Sequence, residues 1–437
     1  MPTAQLNPPR GMRDWYPEEM RFRKWLFSVW RESALRYGFE EYDSTVVEHE
    51  ELYVLKSGPE ILEQLFHFED KSGRRLALRP EMTPTLARMI AARGGALAKP
   101  LKWFSIAQCF RYERMTRGRK REHYQWNLDV VGVSRVTAEA ELLAVALDVL
   151  NSLGLTGSEV VVRVSHRRLL GAVLEGLEIP TGKWPGVFAM IDKRGKETEE
   201  SIRRGLMDLG VSQQAVETLF SMLEVGQLEP FQEFLAEKGL DSVPLEDLRE
   251  LFALLQAYGF ADYLEFCPSI VRGLPYYTGT VFECFDRQGT FRAIFGGGRY
   301  DNLMGMFSSG ATSAVGLGFG DVVIREILEE KQRVPSLPKQ VDVFLIPYSG
   351  SERNQSVRVA QRLREKGLCV DLMLEDRRLK AALREASRSN ARWGVLLLPE
   401  ELEQGVLVVR DLHSGDEQRV PWDALWEHPE SVLCRDP

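Results

Sequence analysis

From Pro17 to Tyr37 apolar and polar positions alternate with a helical period, and Gly38 follows where a helix C-cap belongs. The stretch from Tyr42 to Gly132 reads mostly as strands with turns between them, most clearly in LKWFSIAQCFRYE and HYQWNLDVVGV. Helical spacing returns at Ala138–Leu153, with Leu142, Leu143, Ala146 and Leu150 on one face. From about 165 to 257 nearly everything is helical and rich in Leu and Glu, as in an inserted helical module. Strand signals resume at Ser269–Phe285 and Phe291–Phe295, ahead of GGGRYD.

A proline-punctuated linker, RVPSLPKQ, separates the last hundred or so residues. These alternate strand (Val341–Pro347), helix (Gln355–Lys366), strand (Cys369–Leu374), helix (Arg378–Ser389) and strand (Gly394–Leu398). That order predicts a small parallel α/β domain, closing in a hairpin around His413–Ser414–Gly415. The expected division is a core in two parts (1–165 and 258–332), a helical insertion at 166–257, and an α/β domain at 339–437. No internal repeat and no low-complexity tract interrupts it.

Composition narrows the class. A chain of 437 residues, 44% apolar and 27% charged, has the makeup of an ordinary globular protein of more than one domain. No apolar run approaches the roughly 20 residues of a membrane span, and MPTAQLNPPRGMRD has neither a signal nor a transit pattern, so a cytoplasmic location without membrane contact is expected. Five scattered cysteines without a Cys-x-x-Cys pair point to reduced thiols. Six scattered histidines form no metal-binding cluster. The net charge of −8 argues against a general polyanion binder. Local fields matter more than the sum, however, and two basic islands stand out. One is Arg111–Glu122, with Arg111, Arg114, Arg117, Arg119, Lys120 and Arg121 against Glu113 and Glu122. The other is Arg353–Arg392, with eleven Lys/Arg and five Asp/Glu. Such islands in an acidic chain suit a specific RNA partner.

The richest segment is CFRYERMTRGRKREHYQWNLDVVG, two strands joined by a long basic tip. Period two places Arg111 and Glu113 on one face of the first strand. On the second, Gln125, Asn127 and Asp129 share a face opposite Tyr124, Trp126 and Leu128. With a bulky apolar face behind it, the sheet should be covered on both sides, and the polar face should line a pocket, since burying it without a polar ligand is costly. In SIVRGLPYYTGTVFECF, Arg272, Tyr276, Thr278 and Thr280 fall on one side of an extended segment. AIFGGGRYDNL offers three glycines that either let a backbone approach a ligand or make a tight turn. No GxxxxGK[ST] phosphate loop occurs. In LRPEMTPTLAR, Glu81 and Thr83 sit at a strand-to-helix corner where a capping role is expected.

In order and spacing these segments resemble class II aminoacyl-tRNA synthetases, and the histidyl family in particular, from about Pro9 to the end of the chain. The FRYE hairpin is similar to the second class motif; RGLPYYTGTVFE and GGGRYD are similar to segments peculiar to the histidyl family. The resemblance implies an α+β core built on an antiparallel sheet flanked by helices, a helical insertion, and a C-terminal α/β domain like the family's anticodon-binding domain. It implies ligation of L-histidine to tRNA through a histidyl-adenylate, with ATP as substrate and Mg²⁺ holding the pyrophosphate, in a homodimer. On the same footing Arg111 and Arg272 would be catalytic, contacting the α-phosphate where charge builds. Glu113 would accept from the adenine amino group, Arg119 would hold the distal phosphates, and His123 stands where an aromatic ring stacks on adenine. Glu81, Thr83 and Gln125 would bind the α-amino group of histidine; Asp129 and Tyr277 its imidazole, with Tyr276 and Arg272 beside it. Arg114 and Arg117 on the basic tip would meet the acceptor stem, and the basic helices of the last domain the anticodon.

Three positions depart from the pattern: Thr45 stands for a proline that shapes the dimer interface, Pro275 for an acid, and Val323 for an arginine that grips the γ-phosphate. Arg325 lies two residues on and would point elsewhere on a helix. Plant-organelle histidyl enzymes share a GFGFGD-like stretch there. Two other classes stay open at this point, a synthetase-like regulatory subunit of histidine biosynthesis and a tRNA-sensing module.

Overall fold

The amino-terminal helix forms as its pattern predicts, over Pro17–Arg36. Pro17 opens it, and the Glu19 carboxylate accepts from the Tyr16 N–H at 3.1 Å. Its inner face of Phe22, Leu26 and Trp30 is buried. The computed structural model describes residues 6–194, 197–271, 276–302, 305 and 312–433. They fall into two units, Met1–Val334 and Pro335–Pro437.

In chain order the first unit's strands are β1 (Glu40–Glu41), β2 (Val47–His49), β3 (His67–Glu69), β4 (Arg75–Leu78), β5 (Leu101–Phe110) and β6 (Glu122–Val131). They continue with β7 (Val160–His166), β8 (Leu264–Phe266), β9 (Thr280–Asp286), β10 (Phe295–Arg299) and β11 (Ala314–Gly320). Among the described residues eight of these form one sheet in the order β1-β5-β6-β11-β10-β9-β7-β8. All its pairs from β5 to β7 are antiparallel; only the edge pairs β1/β5 and β7/β8 run parallel.

β6 lies near the middle, and its two faces are buried differently. Trp126 and Leu128 are fully enclosed, with Trp126 stacked on Trp30 of the first helix at 5.9 Å and tilted against Phe319 of β11. Asn127 and Asp129, on the other face, are also buried. The sheet is covered on both sides, as the bulk of its apolar face predicted. The Thr137–Ser152 helix is enclosed more completely than its expected single apolar face, because it packs against both the Pro17–Arg36 and Val243–Ala257 helices. Its buried Glu139 answers the charge of Arg299 from β10 through a paired hydrogen bond.

Three expectations are corrected. Besides the Thr83–Arg93 helix that the LRPEMTPTLAR corner predicts, the stretch from Tyr42 to Gly132 contains a helix read as strand, Glu50–Ser57, beside a three-stranded sheet ordered β2-β4-β3. The Glu50–Ser57 helix makes barely two turns, too short for apolar periodicity to declare itself, and it buries Leu52, Tyr53 and the Lys56 side chain. β5 ends at Phe110, so Arg111 and Glu113 stand on the connecting loop rather than on a strand face. The GGG run is no turn: it forms the middle of β10, paired to β9 on one side and β11 on the other.

Among the described residues of 167–257 six helices follow one another with short connections, from Arg167–Gly176 through Trp184–Ile191, Glu199–Asp208, Gln213–Glu224 and Glu229–Lys238 to Val243–Ala257.

The second unit carries β12 (Val343–Pro347), β13 (Val370–Leu372), β14 (Trp393–Leu397), β15 (Val406–Asp411) and β16 (Glu417–Pro421), ordered β13-β12-β14-β15-β16. The first three are parallel as expected, but β15 and β16 run antiparallel, so the sheet is mixed. Alternate residues of β12 serve opposite cores. Val343 and Leu345 pack with Val359 and Leu363 of the Arg353–Glu365 helix, and Phe344 and Ile346 with Ala382 and Ala386 of the Leu379–Arg388 helix. In the β15/β16 turn the Asp411 carboxylate accepts from the N–H groups of His413 and Ser414 at 2.8 and 3.0 Å.

Trp126→Ala should cost roughly 3–5 kcal/mol through the void left against Trp30 and Phe319. A urea denaturation midpoint equal to the wild type's would contradict this packing.

Candidate active site

The floor of the site is set by what β11 lacks. Gly316 faces Asp129 and Gly318 faces Asn127 across the β6/β11 ladder. A Cβ on Gly316 would lie 2.1 Å from the Asp129 Oδ1, and one on Gly318 2.2 Å from the Gln125 Nε2. Side chains from β6 therefore lean over bare backbone. Above them lies a pocket of about 290 Å³ with Glu81, Thr83, Gln125, Tyr276, Tyr277 and Tyr300 in its wall. That is the size of a small polar metabolite.

Asp129, not itself in this wall, lies buried across the ladder from Gly316, which is, and accepts a hydrogen bond from the Tyr300 hydroxyl. Burial pushes its carboxyl up to about 7; the Tyr300 hydrogen bond and the Lys56 charge act the other way without prevailing. Tyr300 is raised well above its ordinary value, by burial first and then by the Asp129 charge. Lys56, its side chain fully enclosed, pairs with Glu81 at 2.5 Å and sits 4.2 Å from the centre of the Tyr276 ring. The rings of Tyr276 and Tyr277 lie 4.6 Å apart. Thr83 is the first residue of its helix, but the cap position is Met82 with no side-chain cap bond, so the expected capping role is not realised.

A second, larger cleft of about 1080 Å³ adjoins it, with Arg111, Glu113, Arg119 and His123 in its wall. Arg111, Gln125, Gly296 and Gly318 border both spaces. The Arg111 Nε donates to the Pro80 carbonyl at 3.0 Å. Arg119 pairs with Glu113 at 2.9 Å. Burial, reinforced by the charges of Arg111, Arg13 and Arg119, brings the His123 imidazole down to about 3, so the ring is neutral at physiological pH. Val323 borders this cleft. Arg325, as its helical offset predicted, turns away to pair with Glu329 at 2.7 Å and to cover Phe22.

Two further candidates, Arg114 and Arg117, stand on the basic loop. Arg114 is exposed on the loop. Arg117 reaches back to Glu330 at 2.5 Å and lies over the Phe291 ring. Arg272 and Pro275 lie outside the described residues. Sequence reasoning missed Tyr300 and Lys56 as parts of the site. Tyr300 is visible as the tyrosine of GGGRYD, whereas Lys56 belongs to a short helix inside a stretch whose pattern reads mostly as strand.

An antiparallel sheet holding a small polar pocket against an arginine-walled cleft, with flanking helices and a separate mixed α/β unit, is class II synthetase-like. A family model described as histidyl-tRNA synthetase matches residues 11–320, and one described as anticodon binding domain matches 342–428. The chain is 44% identical to the chloroplastic/mitochondrial histidine–tRNA ligase of Arabidopsis thaliana, over 95% of this chain and 85% of that one. It is 37% identical to a histidine–tRNA ligase of Haloarcula marismortui, over 95% and 96%. Its fold is like that of a histidyl-tRNA synthetase from Nostoc sp., with TM-score 0.82 at 23% identity, covering 98% of this chain and 100% of the other. It is also like that of an apo S. aureus histidyl-tRNA synthetase, with TM-score 0.73 at 21% identity and coverage of 97% and 99%. The chain belongs to the histidyl-tRNA synthetase family. No helix among the described residues is long and apolar enough to cross a membrane.

Asp129 gives the site a pH signature. Folding raises its pKa, so its contribution to stability is complete below the ordinary carboxylate range and is lost as pH rises towards about 7. Between about pH 4 and 7 the urea midpoint of Asp129→Asn should therefore fall less than the wild type's. Parallel pH curves for the two proteins would contradict the assignment.

Proposed function

We propose that this chain is a histidine–tRNA ligase, which activates L-histidine with ATP and transfers the histidyl group to its tRNA. The observation that carries this reading is the shared border of the two spaces at Arg111 and Gln125: an amino acid in the small pocket and a nucleotide in the large cleft would meet there. In the first step a carboxylate oxygen of histidine attacks the α-phosphorus, an oxygen–phosphorus bond forms, and pyrophosphate leaves. Arg111, oriented by the Pro80 carbonyl, stabilises the charge that builds on the α-phosphate, with Arg272 as the second cation. In the second step a hydroxyl of the tRNA's terminal ribose attacks the histidyl carbonyl and AMP leaves. Neither step needs a protein nucleophile.

Asp129 accepts from an imidazole N–H of the substrate, with Tyr300 fixing its carboxylate and Tyr276 and Tyr277 walling the ring. A buried hydrogen-bonding partner of this kind rejects side chains that lack the matching group. Glu81, Thr83 and Gln125 take the α-amino group; Lys56 offsets the Glu81 charge while the pocket is empty, and the substrate ammonium shares that carboxylate when it binds. In the cleft, Glu113 accepts from the adenine amino group, neutral His123 lies against the base, and Arg119 holds the distal phosphates.

Mg²⁺ suits the donors here. Among the described residues no group of three or more His, Cys, Asp or Glu forms a metal cage, but Glu283 borders the cleft and would hold an ion that arrives on phosphates. When bound, it would neutralise charge on the leaving pyrophosphate.

The same reading treats 1–165 and 258–332 as the catalytic core, 166–257 as an insertion, and 339–437 as the anticodon-binding domain. Arg114 and Arg117 would face the acceptor stem, Arg117 by exchanging Glu330 for phosphate. A cytoplasmic homodimer completes it. A synthetase-like regulatory subunit is disfavoured by the match to an anticodon-binding domain and by the relatives named as ligases.

Exchange of labelled pyrophosphate into ATP should require histidine among the amino acids, and Arg111→Ala should slow it by roughly 10²–10³-fold with an unchanged circular dichroism spectrum. Folded wild-type protein that binds histidine without catalysing exchange would sink the ligase reading.

A further inference from the structure

The wall of the large cleft is crowded with cations, yet most are already engaged. Arg119 is tied to Glu113 at 2.9 Å, Arg194 to Glu224 at 3.6 Å and Arg163 to Glu265 at 3.9 Å, while Arg111 is held by the Pro80 carbonyl. Arg292 differs. It stands on the connection between β9 and β10, in the cleft wall, exposed, and makes no hydrogen bond or ion pair among the described residues.

Its neighbourhood is defined by Gly118. A Cβ built there would lie 3.2 Å from the Val323 Cγ2 and 3.8 Å from the Arg292 Cδ, so Arg292 and Val323 pack around the same point of the basic loop. Val323 itself brings no charge to this part of the cleft. Arg292 also bears on Arg119: burial is what lowers the Arg119 pKa most, and the Arg292 charge lowers it further. Two like charges held towards one space are relieved by a polyanion between them.

Reactant geometry decides which part of the nucleotide lies there. The α-phosphate has to sit where the two spaces join, beside Arg111, because the amino acid's carboxylate attacks it. The phosphates beyond it then extend into the large cleft, where Arg119 and Arg292 are placed to meet them.

We propose that Arg292 is a substrate-binding residue for the β- and γ-phosphates of ATP, supplying from the β9–β10 connection the charge that Val323 does not. The inference rests on the ligase reading and deepens it. A guanidinium suits the task because its planar fork bonds two phosphate oxygens at once.

The test compares ATP with AMP, which has no phosphates beyond the first. Binding of each, with Mg²⁺ present, is measured calorimetrically on the full chain for the wild type, Arg292→Ala and Arg292→Lys. Arg292→Ala should weaken ATP by roughly tenfold to a hundredfold while AMP binds as before, and Arg292→Lys should recover part of the loss. An ATP-to-AMP affinity ratio unchanged in Arg292→Ala overturns the proposal. Should Arg292→Ala lose AMP as well, Arg292→Gln, which keeps most of the side chain's length, is judged by the same ratio. Wild-type protein without histidine-dependent exchange would overturn the ligase reading and this proposal together. Intact wild-type exchange with an unaltered ratio in the variants overturns only the part given to Arg292.

Discussion

A carboxylate has been placed inside a sheet that is covered on both faces, and much of the site follows from that one burial. Asp129 has almost no contact with solvent, and its pKa stands at about 7 because burial outweighs every favourable partner. It is tolerable only because the strand beside it has no side chain to compete for the space and because the Tyr300 hydroxyl reaches it. Gly316 and Tyr300 come from β11 and from the end of β10. The position of one acid on β6 therefore dictates residue choice on two other strands. The glycines of β10 are bound by the same packing: a Cβ on Gly297 would lie 2.1 Å from the Gly316 carbonyl oxygen.

A second regularity is that charges in the site are answered before any ligand arrives. Lys56 faces Glu81, Arg119 faces Glu113, and Arg117 on the basic loop faces Glu330. Self-pairing keeps an unliganded polar site from carrying isolated buried charge. It also shapes recognition, since a ligand must offer better partners than those it displaces. Arg292 stands outside that scheme, and this is why the cleft retains an unanswered cation next to a valine.

The two spaces are positioned by different kinds of structure. The small pocket has its floor on β6, β10 and β11, mutually hydrogen-bonded, while Glu60, Ile61, Gln64 and the loop residue Arg111 complete its wall. The large cleft borrows part of its wall from the loop after β5 and from the β9–β10 connection. A site that must discriminate one side chain gains from the first kind of support, and a site that grips flexible phosphates can use the second.

Local pattern by itself determined the first helix, the polar and apolar faces of β6, the helical run after 166, and the alternation in the second unit. In each, a period of two or about 3.6 persists long enough to be read, and side-chain direction follows from it. The resemblance to the histidyl family, not periodicity, marked Arg111, Glu113, Arg119 and His123, and separately Glu81, Thr83, Gln125, Tyr276 and Tyr277, which the fold gathers around two adjoining spaces. Only the tertiary structure decided that GGG is a strand rather than a turn, that Glu50–Ser57 is a helix, and that Lys56 answers Glu81. Only the fold, likewise, brought Tyr300 to Asp129 and Arg292 to the side of Val323. The physical reason is the same throughout. Strand pairing and buried contacts join residues far apart in the chain, and a glycine's bareness acquires meaning only when the neighbouring strand supplies the atom it makes room for.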